Sequence, residues 1–216
     1  MKAQRRTPHF KVILLLATAL SAVTADASVT AVGPGAFGAT STLITFTGLL
    51  DGTEVNGLSV GGVLFSYSLG NGSVVIDGGP GVTNNINPPN VVSGGNPSGV
   101  VRLTLPGFFD MVGYGYAILN VTAVSNATTI NLFSGTTNVG SLSYNGVPDP
   151  FFTGGFAGIQ STIPFDNITL SFNSTAAPAF ALDNIRITSA IPEPSTMLLM
   201  LSGAVGLLWG TRRRIS

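Results

Sequence analysis

Short runs of alternating apolar and polar residues recur along the central part of the chain, between clusters of Gly, Pro and Asn. Residues 62–69 show the pattern clearly, since Val63, Phe65 and Tyr67 alternate with Leu and Ser. A period of two is typical of a strand with one buried face, and no stretch of this region has a useful helical period. Many short strands separated by turn residues are typical of an all-β sandwich or barrel. We therefore predict an all-β fold, with a single β-sandwich over residues 28–190.

The same reasoning predicts the positions of the other strands. They fall at residues 42–47, 100–105, 114–124, 128–133, 141–144, 165–172 and 180–187. The alternation within 165–172 should bury Ile168, Leu170 and Phe172. The last two strands both contain Asp-Asn-Ile and are predicted to be adjacent. Residues 77–99 and 147–158 are rich in turn-forming residues and are predicted to be long loops.

The last 26 residues contain three different segments in a defined order. The Pro-Glu-Pro sequence at 192–194 cannot lie inside a helix, because proline fixes φ and lacks an amide donor. The following residues, 197–209, are uncharged and mostly apolar, and with their flanks they reach about 17 residues, the lower limit for crossing a bilayer. Three arginines at 212–214 should then stay on the cytoplasmic side. We predict a C-terminal transmembrane helix that holds the preceding domain outside the inner membrane.

This order of Pro-Glu-Pro, short apolar segment and basic cluster resembles the PEP-CTERM protein-sorting signal. The resemblance implies an exported protein of a Gram-negative bacterium, whose tail is recognised and cut by an exosortase, a membrane-embedded enzyme. It assigns the sorting motif to Pro192, Glu193 and Pro194, and the stop-transfer segment to Arg212, Arg213 and Arg214. It covers residues 191–216 only. The alternative is an ordinary tail anchor that follows a proline-rich hinge.

The first 27 residues have the organisation of a cleaved secretory signal peptide. Four basic residues lie within the first eleven, and residues 12–25 are almost entirely apolar. Ala25 and Ala27 provide the small-x-small pattern of a signal peptidase site, so cleavage is predicted after Ala27. Arg5-Arg6 leaves twin-arginine export open, but ordinary secretion is favoured because the expected apolar residues do not follow immediately. The precursor would pass through the secretion machinery and be anchored in the inner membrane before processing.

Removal of both ends leaves an acidic domain with few reactive side chains. Residues 28–190 contain two arginines and seven acidic residues, hence a net charge of −5, and no Cys, His or Lys. This composition excludes catalysis by His or Cys and ordinary zinc or copper sites. Two isolated arginines cannot provide the positive surface that a nucleic-acid backbone requires, so no nucleic-acid partner is expected. We predict a non-enzymatic protein.

The central region also resembles known β-sandwich domains. Residues 46–53, 61–65 and 155–159 resemble elements of exported PEP-CTERM proteins, and residues 180–185 resemble the closing strand of jelly-roll carbohydrate-binding modules. The second resemblance implies a jelly-roll-like fold in which Asp183 helps to hold a structural calcium. Calcium takes oxygen ligands, and Asp51 and Glu54 are the predicted partners if the first and last strands meet. The alternative is that Asp183 faces solvent or caps a turn.

Phe151 and Phe152 are the candidate ligand-binding residues. Two adjacent rings on a loop could stack on the apolar face of a sugar, although a cap on the end of the core is favoured. The predicted function is a non-enzymatic binding or matrix protein of the cell surface or biofilm that contacts exopolysaccharide. The alternative is a glycan-active hydrolase or lyase that uses Asp51 and Glu54. A third possibility is a structural coat protein that self-associates.

Overall fold

The computed structural model describes residues 27–188, so the predicted signal peptide up to residue 26 and the predicted sorting tail at 191–216 lie outside it. Residues 27–188 form strands and one short 3-10 turn, Pro34–Ala36. In chain order the strands are β1 Val29–Ala31, β2 Thr42–Ile44, β3 Ser59–Val60, β4 Val63–Tyr67, β5 Val74–Asp77, β6 Asn90–Ser93, β7 Val100–Ile118, β8 Val124–Ser134, β9 Thr137–Asp149, β10 Phe152–Phe172 and β11 Phe180–Thr188. Within this part of the chain, no helix is long and apolar enough to cross a membrane. The prediction of an all-β domain is confirmed.

Two long strands, β7 and β10, organise the fold and run antiparallel to each other. The first half of β7 pairs with β4, whereas its second half pairs with β11. The first half of β10 pairs with β1, and its second half pairs with β8. The register between β7 and β10 shifts between Gln160 and Phe165. Pro164 lies at this shift, where the amide hydrogen that proline lacks is not needed by a regular ladder.

These pairings divide the strands into two sets, which we call sheet A and sheet B. Sheet A consists of β3, β4, the first half of β7, the second half of β10, β8 and β9. Sheet B consists of β5, β6, β11, the second half of β7 and the first half of β10, with β1 and β2 at its margins. Two sheets that share their long central strands are consistent with a β-sandwich.

The hydrophobic core is built from alternate residues of both sheets. Ile168, Leu170 and Phe172 of β10 are buried as predicted, and so are Val63 and Phe65 of β4. The largest side chains in this core that are fully buried are Tyr114, Tyr116, Phe46, Phe65 and Phe165. Each large apolar side chain that is removed from water contributes about 1.5–3 kcal/mol to folding. The core therefore stabilises the domain without any disulfide, since the chain contains no cysteine.

Both predicted long loops contain strand residues, so these two predictions are wrong in part. Residues 77–99 include β6, which lies between β5 and β11. In β6, Asn90 and Val91 are both buried, and a strand buried on both faces shows no period of two. Residues 152–158 belong to β10, and from Thr153 onward they pair with the second half of β7. Their glycines permit close approach, since a Cβ on Gly154 would collide with the carbonyl oxygen of Tyr116.

The strands around residues 100–124 and at the end of the chain also differ from the prediction. Residues 100–105 and 114–118 belong to the single strand β7, and Val124 already begins β8. The last two strands, β10 and β11, are not adjacent, because β7 lies between them. The second half of β10 lies in sheet A whereas β11 lies in sheet B, so the connection at 173–179 passes from one sheet to the other.

Candidate functional site

An apolar groove lies on the outer face of sheet B, the face that carries Ala117 and Ala181 and is opposite the core residues Tyr116 and Leu182. The groove has a volume of about 270 Å³. The residues that line it are Gly79, Pro80, Val92, Ala117, Leu119, Phe152, Ala179, Phe180 and Ala181. Val92, Ala181 and Ala117 are opposed on neighbouring strands, so small side chains form a shallow floor. None of these lining residues carries a charged side chain, so the groove is suited to bind an apolar surface of a ligand.

The two candidate phenylalanines have different environments. Phe151 lies in the turn between β9 and β10 and is 73% exposed. Phe152 is half-buried and packs against the cluster of Ile86, Ala117 and Ala181 at one side of the groove. Phe152 thus covers apolar residues, as the capping alternative expected, whereas the ring of Phe151 is free to contact a ligand.

The β5–β6 loop, residues 78–89, covers another part of the same face. The main-chain carbonyl of Asn85 lies directly over Gly115 of β7, where a Cβ atom would collide with it. Asn184 Nδ2 donates a hydrogen bond to this carbonyl at 2.8 Å. Asp149 Oδ2 accepts hydrogen bonds from Thr83 Oγ1 at 2.9 Å and from the amide of Asn84 at 3.2 Å. Side chains from β9 and β11 therefore hold the loop on the sheet.

Asp183 is the most deeply buried carboxylate of the described residues, with no exposed surface. Its Oδ2 accepts a hydrogen bond from the amide of Asn87 at 2.9 Å, whereas its Oδ1 has no hydrogen-bond partner in this structure. Burial raises the pKa of Asp183 to about 6, against the opposing effect of the amides of Asn87 and Asn184. Asp183 neither faces solvent nor acts mainly as a turn cap. It fastens the β5–β6 loop to β11.

The three predicted calcium ligands are not brought together. Glu54 forms a β-bridge with Val75, and its carboxylate accepts a hydrogen bond from the amide of Gly72 at 3.0 Å. β5 and β6 lie between Glu54 and the strand of Asp183, and three strand spacings correspond to about 14 Å. Asp51 is exposed in the turn that precedes Glu54. Among residues 27–188, no group of three or more His, Cys, Asp or Glu residues could hold a metal ion.

The sequence analysis missed Asn90, which is also completely buried. Its Nδ2 donates to the carbonyl of Gly79 at 2.7 Å, and its Oδ1 has no hydrogen-bond partner in this structure. Asn90 follows Pro88-Pro89, and this context is typical of a turn. Only the pairing of β6 with β11 reveals its position. Of the predicted processing residues, Ala27 is exposed at the start of the described part, and Ala25, the Pro-Glu-Pro motif and the three arginines lie outside it.

Comparison with protein families confirms the predicted sorting signal. Residues 190–214 match the PEP-CTERM protein-sorting motif. The match begins two residues after β11 ends at Thr188. The described all-β region is therefore followed almost directly by the match to this sorting motif.

Comparison with curated proteins finds no match. Among solved structures, a CBM29-2 mutant of carbohydrate-binding module family 29 has a TM-score of 0.38 and 12% identity, over 70% of this chain and 94% of that one. A CBM29-2 mutant complexed with mannohexaose has a TM-score of 0.38 and 13% identity, over 69% and 92% of the two chains. Another family 29 module has a TM-score of 0.30 and 14% identity, over 62% and 97%. At TM-scores below 0.5, these neighbours do not define the function of this chain.

Proposed function

We propose that this protein is exported and sorted to the cell surface or extracellular matrix by an exosortase. The PEP-CTERM match at residues 190–214 carries this proposal. The partners of the precursor are then the secretion machinery, the inner membrane and the exosortase, with a signal peptide removed after Ala27. The motif follows an all-β domain almost directly, so cleavage near Pro192, Glu193 and Pro194 releases this domain with only a short extension.

The exported domain is, in this proposal, a non-enzymatic, jelly-roll-like module that binds exopolysaccharide. The exposed ring of Phe151, the chain neighbour of the groove residue Phe152, supports this part. Aromatic side chains provide a flat apolar surface at a low cost in conformational entropy, and the C–H faces of sugar rings fit such a surface. The net charge of −5 over residues 28–190 favours neutral glycans over acidic ones, because like charges repel.

A binding assay with insoluble polysaccharides tests the role of Phe151. The mature protein is mixed with neutral and acidic polysaccharides, and the fraction that remains in solution is measured. We expect depletion by a neutral polysaccharide and at least a tenfold loss of affinity for Phe151→Ala. Phe108→Ala is the matched control, since Phe108 is also exposed, at 59%, but lies near the middle of β7. Phe108 lies about 30 Å along the strand from Ile118, the end of β7 that pairs with Thr153 of β10.

Equal binding by the wild type and Phe151→Ala would contradict the assigned surface. Absence of binding to every polysaccharide, together with concentration-dependent self-association, would favour a structural coat protein instead. Release of reducing sugars that is lost in Asp51→Asn or Glu54→Gln would indicate the hydrolytic alternative. The sorting proposal is tested separately by the mass of the mature protein, so the two parts can fail independently.

A further inference from the structure

We propose that Asp183 and Asn90 form a binding site for a hard divalent cation, of which calcium is the best match, beneath the β5–β6 loop. This site differs from the sequence-based one, because neither Asp51 nor Glu54 takes part in it. It also goes beyond the proposed glycan binding, and it does not depend on it.

Both side chains are buried, and each has one oxygen atom without a hydrogen-bond partner. Asp183 and Asn90 have no exposed surface, and Asp183 Oδ1 and Asn90 Oδ1 lack hydrogen-bond partners. The orientation of the Asn90 amide is assigned by the bond from its Nδ2 to the carbonyl of Gly79, so its oxygen is the free atom. A buried polar atom without a partner destabilises the folded state, and more so when it is charged. Two such oxygens on neighbouring strands favour an electropositive group as their common partner.

The two free oxygens belong to residues that the extended register of β6 and β11 places opposite each other. Ala181 pairs with Val92 and Leu182 with Val91, and continuing this register places Asp183 opposite Asn90. Opposed residues of an antiparallel pair point to the same face, with Cβ atoms about 4.5–5.5 Å apart. Two oxygens that both carry negative charge density repel each other at such a separation, unless a positive group lies between them.

Few positive side chains are available to balance the charge of Asp183. The described residues contain no Lys or His, and only two arginines. Arg186 donates to the carbonyl of Pro34. Arg102 belongs to the first half of β7, which pairs with β4 and not with β11. An external cation is therefore needed to balance Asp183 when it is ionised.

The chemistry of the donors selects the class of cation. Asp183 supplies a carboxylate oxygen and Asn90 an amide oxygen, and Asp77, opposite Asn90 on β5, is a further carboxylate in the same row. Its Oδ1 accepts hydrogen bonds from the amides of Gly78 and Gly79. Oxygen donors without nitrogen or sulfur suit calcium or magnesium and not zinc or copper. A site with one buried carboxylate is expected to be weak, with a Kd of about 10⁻⁴–10⁻³ M, a range found in extracellular calcium modules.

Calcium titration of the mature protein tests the site. The protein is stripped with a chelator, and binding of calcium alone is measured by calorimetry and by the shift of the thermal midpoint. We expect one calcium ion per chain and a midpoint that rises with calcium concentration. Asp183→Asn should lower the affinity at least tenfold. The matched control is Asp166→Asn, since Asp166 lies in β10 and accepts a bond from the amide of Gly135, far from the site in the sheet.

A second variant distinguishes a ligand from a residue that only supports folding. Asn90→Asp adds a carboxylate at nearly the same shape, so the apoprotein should be less stable while calcium binds several-fold more tightly. The proposal is overturned if about 10 mM calcium neither binds nor shifts the midpoint of the wild type. It is also overturned if Asp183→Asn binds calcium as the wild type does, or if Asn90→Asp shows no gain. A thermal midpoint that does not change with calcium but rises on acidification would also overturn it. That result would mean that a proton on Asp183 bridges Asp183 Oδ1 and Asn90 Oδ1.

Discussion

Replacement of Gly115 by alanine should release the β5–β6 loop from sheet B. A Cβ at this position would collide with the main-chain carbonyl of Asn85, and a backbone atom of a fastened loop cannot move alone. The displacement would break two hydrogen bonds, from Asn184 Nδ2 to Asn85 O and from the Asn87 amide to Asp183 Oδ2.

The expected size of the effect follows from these two bonds. A bond between neutral groups contributes about 0.5–1.5 kcal/mol, and a bond to a charged group about 1.5–3 kcal/mol. Replacing glycine by alanine within a strand also stabilises the folded state by about 0.5–1 kcal/mol, because the unfolded chain loses conformational entropy. We therefore expect Gly115→Ala to lower the free energy of unfolding by about 1–4 kcal/mol, with a corresponding fall in the urea midpoint.

Gly107→Ala is the matched control for this prediction. Gly107 lies in the same strand, and a Cβ there would meet nothing within 4 Å. Its urea midpoint should equal or slightly exceed that of the wild type. The prediction is refuted if the free energies of unfolding of Gly115→Ala and Gly107→Ala differ by less than about 0.5 kcal/mol. The loop would then not pack on Gly115, and Asp183 would not be enclosed beneath it.

Three further changes test the core and one isolated carboxylate. Phe46→Ala removes a fully buried ring whose centroid lies 5.6 Å from that of Phe65, and urea unfolding should show a loss of about 3–5 kcal/mol; a loss below about 1 kcal/mol would contradict the packing. Tyr114→Phe removes the hydroxyl that lies 2.5 Å from Thr128 Oγ1, and should cost about 0.5–1.5 kcal/mol in the same assay; an unchanged midpoint would argue against this bond. Burial raises the pKa of Asp110 above its usual 3.8, so the folded state binds this proton more tightly than the unfolded state does. As the pH falls from neutral to below 3.8, the wild type should therefore gain stability relative to Asp110→Asn. If the urea midpoints of the two proteins change by the same amount over this pH range, the pKa of Asp110 is not raised.

The parts of the fold that could be predicted are the strands with one buried and one polar face. In β4, Val63, Phe65 and Tyr67 are buried, and the residues between them are less buried, so the period of two is visible in the sequence. In contrast, β6 is only four residues long and is buried on both faces, which removes the alternation. The sharing of β7 between two sheets depends on pairings with β4 and β11, and contacts so distant along the chain leave no local pattern.

The candidate site was predictable to a similar degree. The position of Asp183 on the closing strand was predictable, since residues 180–187 were predicted as a strand, but its burial was not, because residues 180–183 are all buried and do not alternate. Its partner could not be predicted, since Asn90 becomes its neighbour only through the pairing of β6 with β11. The separation of Glu54 from Asp183 by two intervening strands has the same origin. The sorting motif, by contrast, is a local sequence feature, and it was recognised without any knowledge of the fold.

The intact mass of the mature protein, recovered from the outer fractions of the native host, tests the central claim most directly. We expect a chain that begins at Ser28 and ends between Pro192 and Ser195, and we expect cleavage to be lost when Pro192, Glu193 and Pro194 are replaced by alanine. A mass that still includes Trp209 and the terminal arginines would contradict exosortase sorting, and the protein would then be a membrane-anchored one with an ordinary tail.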